Sequence, residues 1–154
     1  INLNQLAQDT VAALDDVEFK PRQIITRFDL QNKLAKVATN PVLVKQILIN
    51  LLKNAAEAVS EGGLIQLVTR DGYSADSGRH VEIIVEDNGP GIASSLQEKL
   101  FQPMVSTKGT GHAGVGLSIV KGMVDDLGGR ISCHSSAESG TSFHLQIPCR
   151  EDRS

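Results

Sequence analysis

The stretch NPVLVKQILINLLKNAAEAVS, Asn40 to Ser60, decides how this chain folds. Asn40 ahead of Pro41 is a helix start: a side-chain acceptor for the first free N–H groups, then a residue whose missing N–H is no loss there. Gly62-Gly63 supplies the stop. At about 100° per residue, Val44, Ile47, Leu48, Leu51, Leu52, Ala55, Ala58 and Val59 fill one continuous arc, which predicts a buried face. Asn50, Asn54 and Glu57 gather within about 60° of one another at its edge. Asn is a poor helix former because its amide competes for backbone hydrogen bonds. Two of them one turn apart are either satisfied polar residues at a core boundary or a row of amide oxygens aimed at a hard cation such as Mg²⁺, which takes oxygen ligands.

Working outward, Asn2 caps a first helix with Gln5 at the capping-box position, and Leu3, Leu6, Ala7, Val11 and Leu14 form its apolar stripe. Asp15, Asp16 and Pro21 end it. Gln23–Asp29 and Leu34–Ala38 read as two short strands around the polar turn Gln31-Asn32-Lys33. On the other side, Leu64–Arg70 and Val81–Asp87 are strands joined by a polar loop over Asp71–Arg79. Ser94–Leu100 has room for a short helix, a helix runs from Val115 to Leu127, and Arg130–Ser136 with Thr141–Pro148 make a closing hairpin. Helices and strands mix without regular βαβ alternation. This predicts an α/β two-layer sandwich, a mixed and mostly antiparallel sheet covered on one face by about three helices.

The 154 residues suit one domain, which at this size buries about 70% of its unfolded surface. A formal charge of −3, 3% aromatic residues and no Trp exclude the basic footprint and stacking surfaces of a nucleic-acid binder. No apolar run reaches the length of a membrane span, so the domain is expected to be cytoplasmic without direct membrane contact. The first residue is Ile rather than Met, which leads us to expect a longer parent, membrane-anchored or not. Cys133 and Cys149 are the only cysteines. A turn centred on Ser139-Gly140 pairs position 133 with about 144 and leaves Cys149 off register, so two free, mostly buried thiols are expected.

Two further segments carry chemistry. Asp87 ends a strand and is followed by Asn88-Gly89-Pro90-Gly91. This is either a plain tight turn or a carboxylate placed to accept a hydrogen bond from the amine of a planar ring lying close to glycine backbone. Ser106–Ser118 (STKGTGHAGVGLS) opens onto a helix whose free N–H groups and macrodipole favour an anion, with Lys108 adding a charge. It matches neither GxxxxGK[ST], because Lys precedes the glycines, nor a dinucleotide fingerprint, because no βαβ unit surrounds it.

The order of these features is more specific than any one of them: Asn-x-x-x-Asn on a helix, Asp-x-Gly-x-Gly after a strand, Phe-x-Pro, Gly-x-Gly onto a helix, and Gly-Thr in a closing hairpin. From about Leu3 to Pro148 the chain resembles the catalytic ATP-binding domain of sensor histidine kinases, within the ATP-binding (Bergerat-type) fold shared with gyrase, chaperone and mismatch-repair ATPases. The resemblance implies one such domain over residues 1–150 with a tail at 151–154. It implies that Asn54 holds Mg²⁺, with Asn50 supporting metal and phosphates. Asp87 then takes the adenine amino group, with Gly89, Gly91 and Ile92 shaping the pocket. Phe101 and Pro103 match the phenylalanine box. Gly114, Val115, Gly116 and Leu117 match the second glycine box at the phosphates. Thr141 reaches adenine through water, and Lys108 is a lid residue reaching the outer phosphates. Asn50 and Lys108 are the catalytic candidates.

The departures are Glu57 and Ala58, where many members have Lys-Tyr, and Gln102-Pro103-Met104-Val105-Ser106, where a second Phe is common; nitrogen-regulation kinases are similar there. Lys53 is expected in solvent and His112 in a mobile lid. None of His80, His112, His134 and His144 is expected on a helix before an acidic residue, so the phosphate acceptor is expected on a separate dimerising hairpin of the parent, with a response regulator downstream. The alternatives are an ATP-hydrolysing member of the fold and a non-catalytic nucleotide-sensing module. Hydrolytic members place Glu where Asn50 stands, and an amide cannot serve as general base.

Overall fold

The computed structural model describes residues 1–59, 62–75, 78–92, 97, 101, 112–136 and 138–149, the side chains of 74 and 112–116 apart. Helices α1 (Leu3–Leu14), α2 (Pro41–Ala58) and α3 (His112–Leu127) accompany strands β1 (Ile25–Leu30), β2 (Leu64–Ser74), β3 (Gly78–Asp87), β4 (Arg130–Ser136) and β5 (Gly140–Pro148). Sheet order is β1-β2-β3-β5-β4. β1 runs parallel to β2, and the other pairs are antiparallel.

The strands are two-faced because their sequences alternate. Val81, Ile83 and Val85 of β3 align with Ile147, Leu145 and Phe143 of β5, Leu67 of β2 pairs with Val85, and with Ile65 all are buried in one core. α2 lays Val44, Ile47, Leu48, Leu51 and Leu52 on that face, each about 1.5–3 kcal/mol of burial. α1 adds Leu3, Ala7 and Val11, and α3 adds Leu117, Val120 and Val124. The opposite face carries Glu82 and His144, with Arg70 Nε donating to Glu82 Oε1 at 2.6 Å. Burial alone would raise the Glu82 pKa, but the Arg70 hydrogen bond and charge hold it below the usual range.

The helix starts follow expectation. Asn40 Oδ1 accepts from Val42 N at 3.0 Å and Leu43 N at 3.3 Å, and Asn2 Oδ1 accepts from Gln5 N at 3.1 Å. Several expectations need correction. Leu34–Ala38 is not a strand: Ala35 N donates to the Asp71 carboxylate and Val37 exchanges hydrogen bonds with Ile1, so side chain and terminus replace a ladder. The hairpin expected there is instead a β1-α2-β2 unit, the one place where the chain crosses over to a parallel neighbour. The loop expected over Asp71–Arg79 is mostly strand, with pairing continuing from Asp71↔Val81 to Ser74↔Gly78. Gly72 permits this, because a Cβ there would sit 2.4 Å from His80 Nε2.

The chain does not stop winding at Asp15. A π-helical turn over Asp15–Phe19 and a 3₁₀ turn over Lys20–Arg22 drive Phe19 into the core, and Gln23 closes the segment at φ 56°. In α2 the buried arc takes in Ala56 instead of Ala58, which lies exposed over the Gly89 turn. Lys53 is exposed, as expected. His112 begins α3, three residues before the expected start, and is not in a loop. Cys133 pairs with Phe143, one residue from expectation, and both cysteines are free and half-buried. Of the Ser94–Leu100 helix only Gln97 is described, and it is helical. Lys108, Pro103 and the 151–154 tail lie outside the described residues.

Candidate functional site

At one end of the sheet, strand register places Ser135 (β4), Thr141 (β5), Asp87 (β3) and Ile65 (β2) in one row. Asp87 is 6% exposed and its Oδ1 accepts the Gly89 N–H at 2.9 Å. Burial raises the Asp87 pKa; the backbone N–H groups of Gly89 and Thr141 oppose this without cancelling it. A carboxylate kept in low dielectric with lone pairs to spare is a strong acceptor for a ligand donor. Burial, with the Asp87 charge adding to it, pushes the Cys133 thiol up to about 11, which leaves that thiol protonated and unreactive near neutral pH.

Two glycines make the approach possible. A Cβ at Gly89 would lie 2.8 Å from the Ala58 carbonyl oxygen, so the turn after Asp87 is pressed against the end of α2. A Cβ at Gly140 would lie 2.0 Å from the Asp87 carbonyl oxygen, and Gly140 has φ +84°. Gly91 also has positive φ, 82°. That contact brings the asparagine-bearing helix to the Asp87 end of the sheet. Asn50 and Asn54 are both half-buried on α2, and neither amide has a hydrogen-bond partner among the described residues. Amide oxygens suit a hard cation that keeps its waters.

Phe101 packs edge-on against Phe143 with ring centroids 6.2 Å apart. Ile92 N donates to Ser135 Oγ at 2.6 Å, and Gln97 Nε2 donates to the carbonyls of Ile92 at 2.8 Å and Ser135 at 3.3 Å. Ser135 Oγ also lies 2.9 Å from Thr141 Oγ1. Sequence reasoning missed Ser135 and Gln97; the only signal was a hydroxyl at an inward position of the closing hairpin. Because α3 begins at His112, the first-turn N–H groups without an intrahelical acceptor end at Gly114, while those expected to be free at Val115, Gly116 and Leu117 fall within the helix ladder; Leu117 anchors that end in the core. A cavity of about 270 Å³ lies against the same strands, lined by Ser135, Gly140 and Thr141 but also by Glu86, His134, Ser136, Ser139 and Ser142. Half its wall is outward-facing, and it lacks α2 altogether, so we place the site at the Asp87–α2 junction.

Residues 39–151 match the family of histidine kinase-, DNA gyrase B- and HSP90-like ATPases. The chain is 31% identical over 148 residues to the sensor histidine kinase ZraS of Escherichia coli (strain K12), covering 96% of this chain and 30% of that one. It is 36% identical over 149 residues to the sensory histidine kinase/phosphatase NtrB of Salmonella typhimurium, covering 93% of this chain and 42% of the relative. The chain thus spans less than half the length of these two relatives. The nucleotide-free catalytic domain of histidine kinase ThkA superposes with a TM-score of 0.82 at 33% identity, covering 97% of this chain and 94% of that domain. The chain belongs to the histidine kinase-, gyrase B- and HSP90-like ATPase family and has the fold of histidine-kinase catalytic domains.

Proposed function

We propose that this domain binds Mg·ATP and donates its γ-phosphate to a histidine on a separate phosphoacceptor domain of the parent chain, which dimerises through that domain. The observation that carries the proposal is the buried Asp87 carboxylate at one end of the sheet, with the glycine turn that follows it pressed against the end of the asparagine-bearing helix α2. Asp87 accepts the amino group of adenine while Gly89, Gly91 and Ile92 bring backbone close to the ring. Thr141 adds a hydroxyl to the base. Phe101 closes the wall. The first turn of α3, ending at Gly114, offers free N–H groups to the phosphates together with Lys108, and Val115, Gly116 and Leu117 continue that helix.

Asn54, supported by Asn50, would hold magnesium, which would supply positive charge against the phosphates. The residues of the chain supply position and charge stabilisation, which is most of what phosphoryl transfer requires. Neither amide can take a proton from water, which favours transfer over hydrolysis. ThkA has been solved in complex with the response regulator TrrA, and its chain is 31% identical to this one. On that analogy the phosphohistidine passes its group to a response regulator.

The test supplies the parent's histidine-bearing helical hairpin in trans with γ-labelled ATP and Mg²⁺. Acid-labile, base-stable label on the hairpin is expected. Label released only as inorganic phosphate would favour a hydrolytic member of the family, and binding without turnover would favour a nucleotide-sensing module.

A further inference from the structure

We infer that Ser135 is a positioning residue that sets the direction of the Thr141 hydroxyl proton and so helps the pocket choose adenine over guanine; this rests on the proposal that the pocket takes ATP. The geometry begins with hydrogen-bond inventory. A serine hydroxyl has one proton to give and two lone pairs to receive. Ile92 N–H, 2.6 Å away, occupies one lone pair of Ser135 Oγ. Among the described residues Ser135's own proton has one acceptor within reach, Thr141 Oγ1 at 2.9 Å, a contact in which either hydroxyl can donate. With Ser135 donating, Thr141 keeps its proton for a partner on the ligand side, directly or through one water. Thr141 is 5% exposed, so its hydroxyl is not reoriented by bulk solvent.

The row then reads, in order, a donor hydroxyl at Thr141 and an acceptor carboxylate at Asp87, on paired residues of β5 and β3. An amino group beside a ring nitrogen, the edge of adenine, offers the complementary donor and acceptor. Guanine offers a carbonyl and a ring N–H there, the reverse order, which sets its carbonyl oxygen against the carboxylate. Gln97 stiffens the arrangement by tying the carbonyls of Ile92 and Ser135 together. Nothing in this chain other than Ser135 connects the loop after Asp87 to the Thr141 hydroxyl among the described residues.

The test is a double-substitution cycle on the whole chain, read as calorimetric dissociation constants for Mg·ATP and Mg·GTP. Ser135→Ala and Thr141→Val are each expected to weaken ATP about fivefold, the size of one neutral hydrogen bond. Together they should still cost about fivefold and not about twenty-five-fold, because the first acts through the second. The ratio of ATP to GTP affinity should fall in each, and Ser135→Thr, which keeps the hydroxyl, should restore it. Should Ser135→Ala fail to fold, Ser135→Cys has nearly the same size with a far weaker donor and takes its place in the cycle. Fully additive costs, or an unchanged selectivity ratio, overturn the role given to Ser135 while leaving ATP binding intact. A wild-type chain that takes up no ATP overturns the underlying reading as well, so the two failures are told apart.

Discussion

Replacing Asp87 with Asn keeps shape and changes chemistry. Asp87 is engaged by the Gly89 N–H, at 2.9 Å on Oδ1, and by the Thr141 backbone N–H, and the two lone pairs of an amide oxygen can accept both. The other position then becomes an NH₂ group facing the amino group of adenine, donor against donor. The loss of a charge-assisted bond together with a newly buried, unsatisfied donor amounts to about 4 kcal/mol, roughly a thousandfold in dissociation constant. The folded state should respond in the opposite sense. Because burial raises the Asp87 pKa, the fold penalises its ionised form near neutral pH, and a neutral Asn removes that penalty. Calorimetric titration with Mg·ATP and thermal unfolding without nucleotide should therefore diverge: affinity collapses while the unfolding temperature holds or rises. A dissociation constant within about threefold of the original would refute the adenine assignment. A matching collapse of stability would show that the carboxylate is there for the fold.

Gly140→Ala places a methyl 2.0 Å from the Asp87 carbonyl at φ +84°, so it should cost about 3 kcal/mol in denaturant unfolding and weaken ATP with it. A loss under about 1 kcal/mol would mean that β5 gives way easily there. Asn54→Ala should remove the Mg²⁺ dependence of ATP binding while sparing the metal-free component; an unchanged Mg²⁺ titration rejects Asn54 as ligand. Proton binding to Asp87 competes with the adenine amino group, so ATP affinity should fall on the acid side, starting above the usual Asp range because the pKa is raised. In Asp87→Asn that inflection should be absent, and its persistence would assign the titration to another group.

Much of this fold was legible wherever a local rule and the tertiary packing agree. α2 is the clearest case: cap, first-turn proline and apolar arc all point the same way, and the helix appears within two residues of its expected end. β4 and β5 likewise alternate cleanly, while central β3 is buried continuously from His80 to Val85. The failure at Leu34–Ala38 has a physical cause. Its apolar residues do pack on the core, but its backbone is satisfied by Asp71 and Ile1, partners distant in sequence that no local pattern reveals. The parallel pairing of β1 with β2 is invisible for the same reason, since α2 intervenes between strands.

The site shows the same division. Asp87, Asn50 and Asn54 announce themselves because each sits where its residue type is locally out of place: a carboxylate at a buried strand end, and amides beside an apolar arc. Ser135 does not, since a serine in a hairpin strand breaks no local rule. Its part emerges only when three strands and the Ile92 loop come together. Ala58 was misplaced because a helical wheel assumes that something lies beneath every turn, and the last turn of α2 lies over Gly89 and not over a strand.

The most direct test is an amide chemical-shift map of the labelled chain as Mg·ATP is added. Binding at the junction of α2 with Asp87 predicts saturable shifts at Asn50, Asn54, Gly89, Gly91, Ile92 and Thr141 and at the start of α3. Shifts confined to His134, Ser136 and Ser142 on the far wall of the 270 Å³ cavity, or no shifts at all, would contradict it.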